Sequence, residues 1–177
     1  MTLQLVEDQK HSSYPKKSWN RERKAFLPED GLVPEGKLNA PPSGIPAGIL
    51  VVDDNLVVLK AFETKLKADG FTVITTPNAA GVAAIAESTK VDVIILDINF
   101  PAAVDGGEWS GFTVMHWLKR FPELGNIPVI MITGSEQAQY LEKARAAGAV
   151  ALFEKPVNYA DLRKAILEAL GSRPEKV

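Results

Sequence analysis

The chain has 177 residues, a mass of 19.2 kDa, a formal net charge of −2 and a sequence pI of about 5.8. It contains no cysteine and only two histidines, which excludes disulfide scaffolds, cysteine zinc sites, thiol nucleophiles, iron–sulfur clusters and multi-histidine metal sites. The charge argues against a nucleic-acid binder, and no signal peptide or apolar run of the ~18 residues that span a membrane is visible, so we expect a cytoplasmic protein.

Residues 1–47 show neither helical nor strand periodicity. Prolines and glycines are frequent from residue 28 to residue 46, and the stretch from Lys10 to Lys24 carries six basic side chains against Glu22. We interpret residues 1–47 as a flexible N-terminal extension with a Pro-rich linker, dispensable for the chemistry of the rest. DNA binding by the basic run is a further hypothesis, although such runs are usually solvated.

Apolar runs and amphipathic stretches alternate five times after residue 47. In chain order, we predict strand 48–52, a helix through Val58, Leu59, Phe62 and Leu66 that ends at Gly70, and strand 71–75. A helix capped by Asn78 ends near Glu87, strand 91–96 follows, and a third helix begins with Phe112, Met115 and Leu118. The last elements are strand 127–132, a helix from Ser135 to Ala147, strand 149–153 and a helix capped by Asn158. This alternation predicts an α/β fold with a five-stranded parallel sheet covered on both faces.

Polar residues stand where the predicted strands end: Asp53 and Asp54 after the first, Asp97 after the third, Thr133 after the fourth and Lys155 after the fifth. Each alone has an ordinary explanation as a turn or a helix cap. If the strand order is 2-1-3-4-5, however, the three carboxylates converge at one edge of the sheet. Lys155 would then lie roughly 10 Å from Asp97, a gap that its long side chain can narrow.

Three converging carboxylates repel one another, by about 4 kcal/mol for each pair ~4 Å apart at an effective dielectric of about 20. One lysine cannot offset this repulsion, whereas a hard divalent cation with oxygen ligands can, which points to Mg²⁺. A carboxylate flanked by Mg²⁺, a lysine and a hydroxyl is an arrangement for phosphoryl transfer, with the carboxylate as nucleophile.

Five segments resemble the receiver domain of two-component response regulators: ILVVDDN (49–55), VIILDINFP (93–101), IPVIMITG (127–134), AGA (147–149) and KP (155–156). The resemblance covers residues 48–171 and leaves residues 172–177 as a short tail. It implies a doubly wound, flavodoxin-like sheet of order 2-1-3-4-5.

The resemblance also implies roles for individual residues. Asp97 would be the phosphoacceptor, and Mg²⁺ would be bound by Asp53, Asp54, Asp97 and the backbone carbonyl of Asn99. The residues that bind the phosphoryl group and switch with it would be Thr133, Gly134 and Lys155.

The chain departs from the receiver pattern in two places. The loop 101–110 after Asp97 is several residues longer than usual, and two interpretations are open: it gates the kinase, the metal or a partner, or it is a tolerated surface insertion. We also expect Trp109 within it to report Mg²⁺ binding by fluorescence. At the switch position three residues before Lys155, where receivers often carry Tyr or Phe, this chain has Leu152.

We therefore predict a phosphorylation-controlled signalling switch that accepts a phosphoryl group from a histidine kinase or a phosphotransfer protein. It would not be an enzyme beyond self-catalysed phosphotransfer and autodephosphorylation, and as a single domain it would signal to an output protein through contacts. Output, and any homodimer, is expected to use the face formed by the fourth helix, fifth strand and fifth helix, with Gln137, Tyr140, Lys143 and Ala144 on its surface unless Tyr140 packs on the last helix. The alternative is a receiver-like docking module that acts without phosphorylation.

Overall fold

The computed structural model describes residues 17–20, 25–28, 46–100, 110–134 and 138–171. Its strands are β1 (Lys17–Asn20), β2 (Ala25–Pro28), β3 (Gly48–Val52), β4 (Thr72–Thr76), β5 (Val93–Asp97), β6 (Val129–Thr133) and β7 (Ala151–Glu154). Its helices are α1 (Leu56–Ala68), α2 (Val82–Ser88), α3 (Gly111–Leu118), α4 (Pro122–Gly125), α5 (Ala138–Ala147) and α6 (Tyr159–Gly171), with a 3₁₀ turn at Ala79–Gly81. No helix in these ranges has the length and apolar content of a membrane span.

A single sheet joins the described strands in the order β1-β2-β7-β6-β5-β3-β4. The five strands from residue 48 onward are parallel to their neighbours in the order β4-β3-β5-β6-β7. The predicted α/β fold and the strand order 2-1-3-4-5 are therefore confirmed.

Two N-terminal strands extend this sheet beyond β7. β1 pairs antiparallel with β2, and β2 pairs antiparallel with β7, with Ala25 opposite Phe153 and Phe26 opposite Leu152. The interpretation of residues 1–47 as a flexible extension is wrong for these two strands. Four-residue strands leave little periodicity in the sequence, and the backbone groups of the edge strand β7 provide the partner that the sequence does not reveal. The domain boundary at residue 48 stays a prediction.

The residues of the parallel strands alternate between two cores, one on each face of the sheet. Leu50, Leu96 and Met131 belong to the core under α2, α3 and α5. Ile49, Ile95, Ile130 and their neighbours form the other core with α1 and α6. Because both faces are buried, each strand is a continuous apolar run, which is the pattern that predicted it.

Helix α1 shows how the chain returns from a strand to a helix at the edge where the polar residues lie. The side chain of Asn55 caps α1 by accepting a hydrogen bond from Val57 N at 2.9 Å. The helix ends at Ala68, and Gly70 two residues later has a φ of 87°, in the left-handed region that glycine adopts freely. The first two residues of the helix are therefore held next to the end of β3.

Helix α5 carries the residues predicted for the output surface. Lys143 is exposed, but Ala144 is fully buried and does not belong to that surface. The Tyr140 ring lies 5.9 Å from that of Phe112 in α3, and Lys143 Nζ lies 4.3 Å from the Phe112 ring centroid. Tyr140 thus packs on α3, not on the last helix, whereas Gln137 lies outside the described residues.

Candidate functional site

Three aspartate side chains meet at the carboxyl ends of β3 and β5. These strands are neighbours in the sheet, with Val52 opposite Leu96, and Asp97 is the last residue of β5. One carboxylate oxygen from each of Asp53, Asp54 and Asp97 lies within 4.8 Å of the other two. The structure thus brings together the three carboxylates that the sequence predicted to converge.

The three aspartates differ in their exposure to solvent. Asp53 and Asp97 are only 2% and 3% exposed, whereas Asp54 is exposed. Asp53 Oδ1 accepts a hydrogen bond from the backbone N–H of Asn55 at 2.9 Å, and Asp97 Oδ1 accepts one from the N–H of Asn99 at 3.2 Å. The turns that leave the two strands therefore fix the buried pair and leave Asp54 open to solvent.

Lys155 reaches both buried carboxylates from the far side of the site. It follows β7, and its Nζ lies 2.6 Å from Asp97 Oδ2 and 2.7 Å from Asp53 Oδ2. Its backbone N–H donates to the carbonyl of Thr133 at 2.8 Å, which ties the end of β7 to the end of β6. The long side chain thus closes the gap expected from the sequence, and its contact with Asp53 was not predicted.

Burial and ion pairing act against each other in this cluster. Burial raises the pKa of Asp97, although the hydrogen bond and charge of Lys155 oppose that effect. Burial alone would lower the pKa of Lys155, but its hydrogen bonds to Asp53 and Asp97 outweigh this and raise it. One ammonium therefore faces three carboxylates, and this surplus of negative oxygen ligands suits a hard divalent cation such as Mg²⁺.

Thr133 connects the site to the segment that follows Asp97. Its side chain is fully buried at the end of β6, and its Oγ1 donates a hydrogen bond to Asn99 Oδ1 at 3.3 Å. The sequence assigned only the backbone carbonyl of Asn99 to the site, because a side-chain contact between distant segments leaves no local signal. Gly134 comes next, and a Cβ there would meet no atom within 4 Å.

The loop after Asp97 is closed at its base. Asn99 forms an antiparallel bridge with Ser110, and the N–H of Gly111 donates to the carbonyl of Ile98 at 2.9 Å. The Ser110 side chain caps α3 by accepting from Thr113 N at 3.2 Å. Residues 101–109, including Trp109, lie outside the described residues, so the fluorescence prediction stays a prediction.

Leu152 occupies the position where receivers often carry an aromatic residue. Its side chain is fully buried in the core under α2, α3 and α5, opposite Met131 of β6. The neighbouring Phe153 points into the other core and is 1% exposed. Neither side chain lies on the surface in this structure.

Comparisons with known proteins agree with this geometry. A family model of the response regulator receiver domain matches residues 49–167. The polar-differentiation response regulator DivK of Brucella anthropi is 32% identical over 127 residues, which cover 72% of this chain and 98% of that protein. A crystal structure of a response regulator receiver domain protein from Clostridium thermocellum has a TM-score of 0.62 and 29% identity, covering 71% of this chain and 94% of that one. A CheY-like receiver domain protein from Methanospirillum hungatei has a TM-score of 0.63 and 26% identity, covering 72% and 95%. The chain therefore belongs to the response regulator receiver domain family of two-component signalling.

Proposed function

We propose that this protein is a phosphorylation-controlled switch in which Asp97 accepts a phosphoryl group from a histidine kinase or a phosphotransfer protein. The observation that carries the proposal is Lys155 Nζ, which lies 2.6 Å from Asp97 Oδ2 and 2.7 Å from Asp53 Oδ2 beside the exposed Asp54. A buried carboxylate next to a fixed cation is placed to act as a nucleophile, because the cation stabilises part of the negative charge that the phosphoryl group brings. The exchange is proposed to take place in the cytoplasm.

The transfer forms one bond and breaks one. A carboxylate oxygen of Asp97 bonds to phosphorus, while the bond from phosphorus to the donor's imidazole nitrogen breaks and its electron pair stays with the imidazole. The Lys155 ammonium would then pair with the phosphoryl oxygens. The Thr133 hydroxyl would turn from Asn99 and donate its hydrogen bond to the phosphoryl group. The protein is a signalling component whose catalysis is limited to its own phosphorylation and dephosphorylation.

The residues present fit a bound Mg²⁺. Asp53, Asp54 and Asp97 each offer a carboxylate oxygen, and the backbone carbonyl of Asn99 is proposed as a further ligand. When bound, Mg²⁺ would neutralise charge between these carboxylates and the incoming phosphoryl group.

An apolar surface next to Asp54 favours a protein as the phosphoryl donor. Leu56 and Val57 at the start of α1 are 68% and 77% exposed, and Lys60 and Ala61 continue the same surface. Neighbouring apolar side chains that are exposed together form the kind of surface that protein partners bind. We also propose that the output protein, or a second copy of this chain in a homodimer, binds the face formed by α5, β7 and α6.

The decisive experiment is phosphate labelling with a small acyl phosphate and Mg²⁺. We expect base-labile incorporation in the wild type, none in Asp97→Asn, and wild-type incorporation in Asp161→Asn, which changes an aspartate on α6. Undiminished labelling of Asp97→Asn would contradict the assignment of the phosphoacceptor. No labelling of the wild type would instead leave a docking module that acts without phosphorylation.

A further inference from the structure

The N-terminal strand pair, β1 with β2, covers an edge of the parallel sheet that would otherwise be open. β2 lies against β7 through two register pairs, Ala25 with Phe153 and Phe26 with Leu152. An edge strand presents unpaired N–H and C=O groups to which another extended chain can bind. In this structure, that place is taken by the chain's own N-terminal strands.

The strand that they cover is fastened to the phosphorylation site at its far end. Glu154 lies opposite Thr133, and the N–H of Lys155 donates to the Thr133 carbonyl at 2.8 Å. The side chain of Lys155 then pairs with Asp97 and Asp53. β7 therefore has the site at its carboxyl end and β2 along its outer side. A shift of β7 would change its contacts with both.

We propose that the N-terminal strand pair is a cis-acting cover of the β7 edge, held in place in the resting state and released when Asp97 is phosphorylated. The release rests on the proposed function, because it needs a phosphoryl group at Asp97. The interaction surface is the backbone edge of β7, and its resting occupant is residues 25–28 of the same chain.

Leu152 provides the route from the site to the cover. When Thr133 leaves Asn99 for the phosphoryl group, its side chain moves within a fully buried region. Leu152 is also fully buried, lies opposite Met131 of β6 on one side and is the register partner of Phe26 on the other. Thr133 itself lies opposite Glu154 of β7, and because close-packed interiors transmit strain, we expect a movement of Thr133 to shift β7.

The cover is held by a short contact, which makes it the part of the sheet that yields first. Among the residues that the structure describes, β2 and β7 share two register pairs, whereas β6 and β7 share four and β3 and β4 share five. Since each pair adds its own hydrogen bonds or cross-strand contacts, the β2–β7 contact is the weakest of these three. A shift in β7 that the parallel pairs tolerate is thus enough to open it.

The full chain lends itself to a distance measurement, because it has no native cysteine. Spin labels would be placed at Ser18→Cys in β1 and at Ala84→Cys, an exposed position on α2. With Mg²⁺ alone, double electron–electron resonance should give one narrow distance distribution. Adding beryllofluoride, a phosphoryl mimic, should broaden and lengthen it. A control pair at Ala84→Cys and Lys164→Cys, between α2 and α6, should stay unchanged.

Together with fluorine NMR of bound beryllofluoride, the distance measurement separates three ways in which the proposal can fail. If beryllofluoride binds and the distribution stays narrow, the release is refuted and the proposed function stands. If the distribution is broad before beryllofluoride is added, the cover itself is refuted. If beryllofluoride binds wild type no better than Asp97→Asn, the proposed function fails and the release fails with it.

A matched pair of variants tests the cover without a phosphoryl mimic. Phe26→Pro removes a backbone donor from β2, whereas Phe26→Ala keeps it. We expect amide exchange in residues 151–154 to rise about tenfold or more in the proline variant relative to the alanine variant. Equal exchange in the two variants would show that backbone pairing with β2 does not protect β7.

Discussion

Gly111 is the first residue of α3 and lies directly against the backbone of Asp97, the proposed phosphoacceptor, so Gly111→Ala should damage both stability and phosphorylation. Gly111 is buried, and its N–H donates to the carbonyl of Ile98. A Cβ at this position would press on the carbonyl oxygen of Asp97, closer than such atoms approach in real proteins. It would also lie 3.0 Å from Ile98 Cα and 3.2 Å from the carbonyl carbon of Asp97. All three are backbone atoms, so no side chain can rotate away, and either α3 or the end of β5 must move.

The expected size of the effect follows from this overlap. Forcing one extra carbon into a packed region lowers the free energy of unfolding by about 1–3 kcal/mol. For a domain of this size, each kcal/mol lowers Tm by about 4 °C. Because the displaced atoms belong to Asp97, its carboxylate should also move relative to Lys155. A misplacement of about 1 Å can slow a reaction ~100-fold, so we expect labelling by a small acyl phosphate to slow by about 10- to 100-fold.

Two further glycines serve as controls for this experiment. A Cβ at Gly48 would press on the carbonyl of Lys90, at the opposite end of β3 from the aspartates. Gly48→Ala should therefore lose stability but be labelled at the wild-type rate once folded. A Cβ at Gly171, the last residue of α6, meets no atom within 4 Å, so Gly171→Ala should lose no stability and be labelled at the wild-type rate. Wild-type labelling and stability in Gly111→Ala would refute the argument.

Three other outcomes follow from contacts in the described residues. In thermal denaturation, Mg²⁺ at about a hundred times its Kd should raise the free energy of unfolding of the wild type by about 2.7 kcal/mol. The increase should be smaller in Asp54→Ala, and equal stabilisation of both proteins would contradict the metal site. Burial, together with the hydrogen bond to Asp69 at 2.8 Å, raises the pKa of Tyr159. The folded state therefore keeps the Tyr159 proton to a higher pH than the unfolded state does. Below pH ~10, the free energy of unfolding measured in urea should be about 0.5–1.5 kcal/mol higher for the wild type than for Tyr159→Phe. This difference should disappear as the pH rises above ~10. Asp92→Ala should cost about 1–3 kcal/mol with normal labelling, because Asp92 Oδ2 accepts a buried hydrogen bond from Gly48 N at 2.8 Å.

The parallel part of the fold was predictable because its strands are buried on both faces. The predicted strand 48–52 coincides with β3, and the predicted strand 91–96 overlaps β5 with its ends shifted by one or two residues. Strand ends with polar residues then predicted the site, since the carboxyl ends of parallel strands lie at one edge of the sheet. Asp53, Asp97 and Lys155 were found in this way.

What the sequence did not reveal depends on contacts between distant segments. The strands β1 and β2 are too short to show periodicity, and their place is set by the free edge of β7. The short helix α4, Pro122–Gly125, was also missed, because a single turn leaves little pattern. The hydrogen bond from Thr133 to Asn99 and the second ion pair of Lys155 arise only once β5, β6 and β7 are assembled.

The closed base of the loop after Asp97 has a consequence for how this domain can change over evolution. The bridge between Asn99 and Ser110 and the hydrogen bond from Gly111 to Ile98 join the two ends of the segment that follows Asp97. For a chain closed at such a neck, the entropy cost grows only with the logarithm of its length, by about 0.6 kcal/mol for each doubling. Insertions and deletions between residues 101 and 109 are therefore cheap and leave the distance from Asp97 to α3 unaltered. New sequence can therefore enter this segment while Asn99, Ser110 and Gly111 keep their positions relative to Asp97.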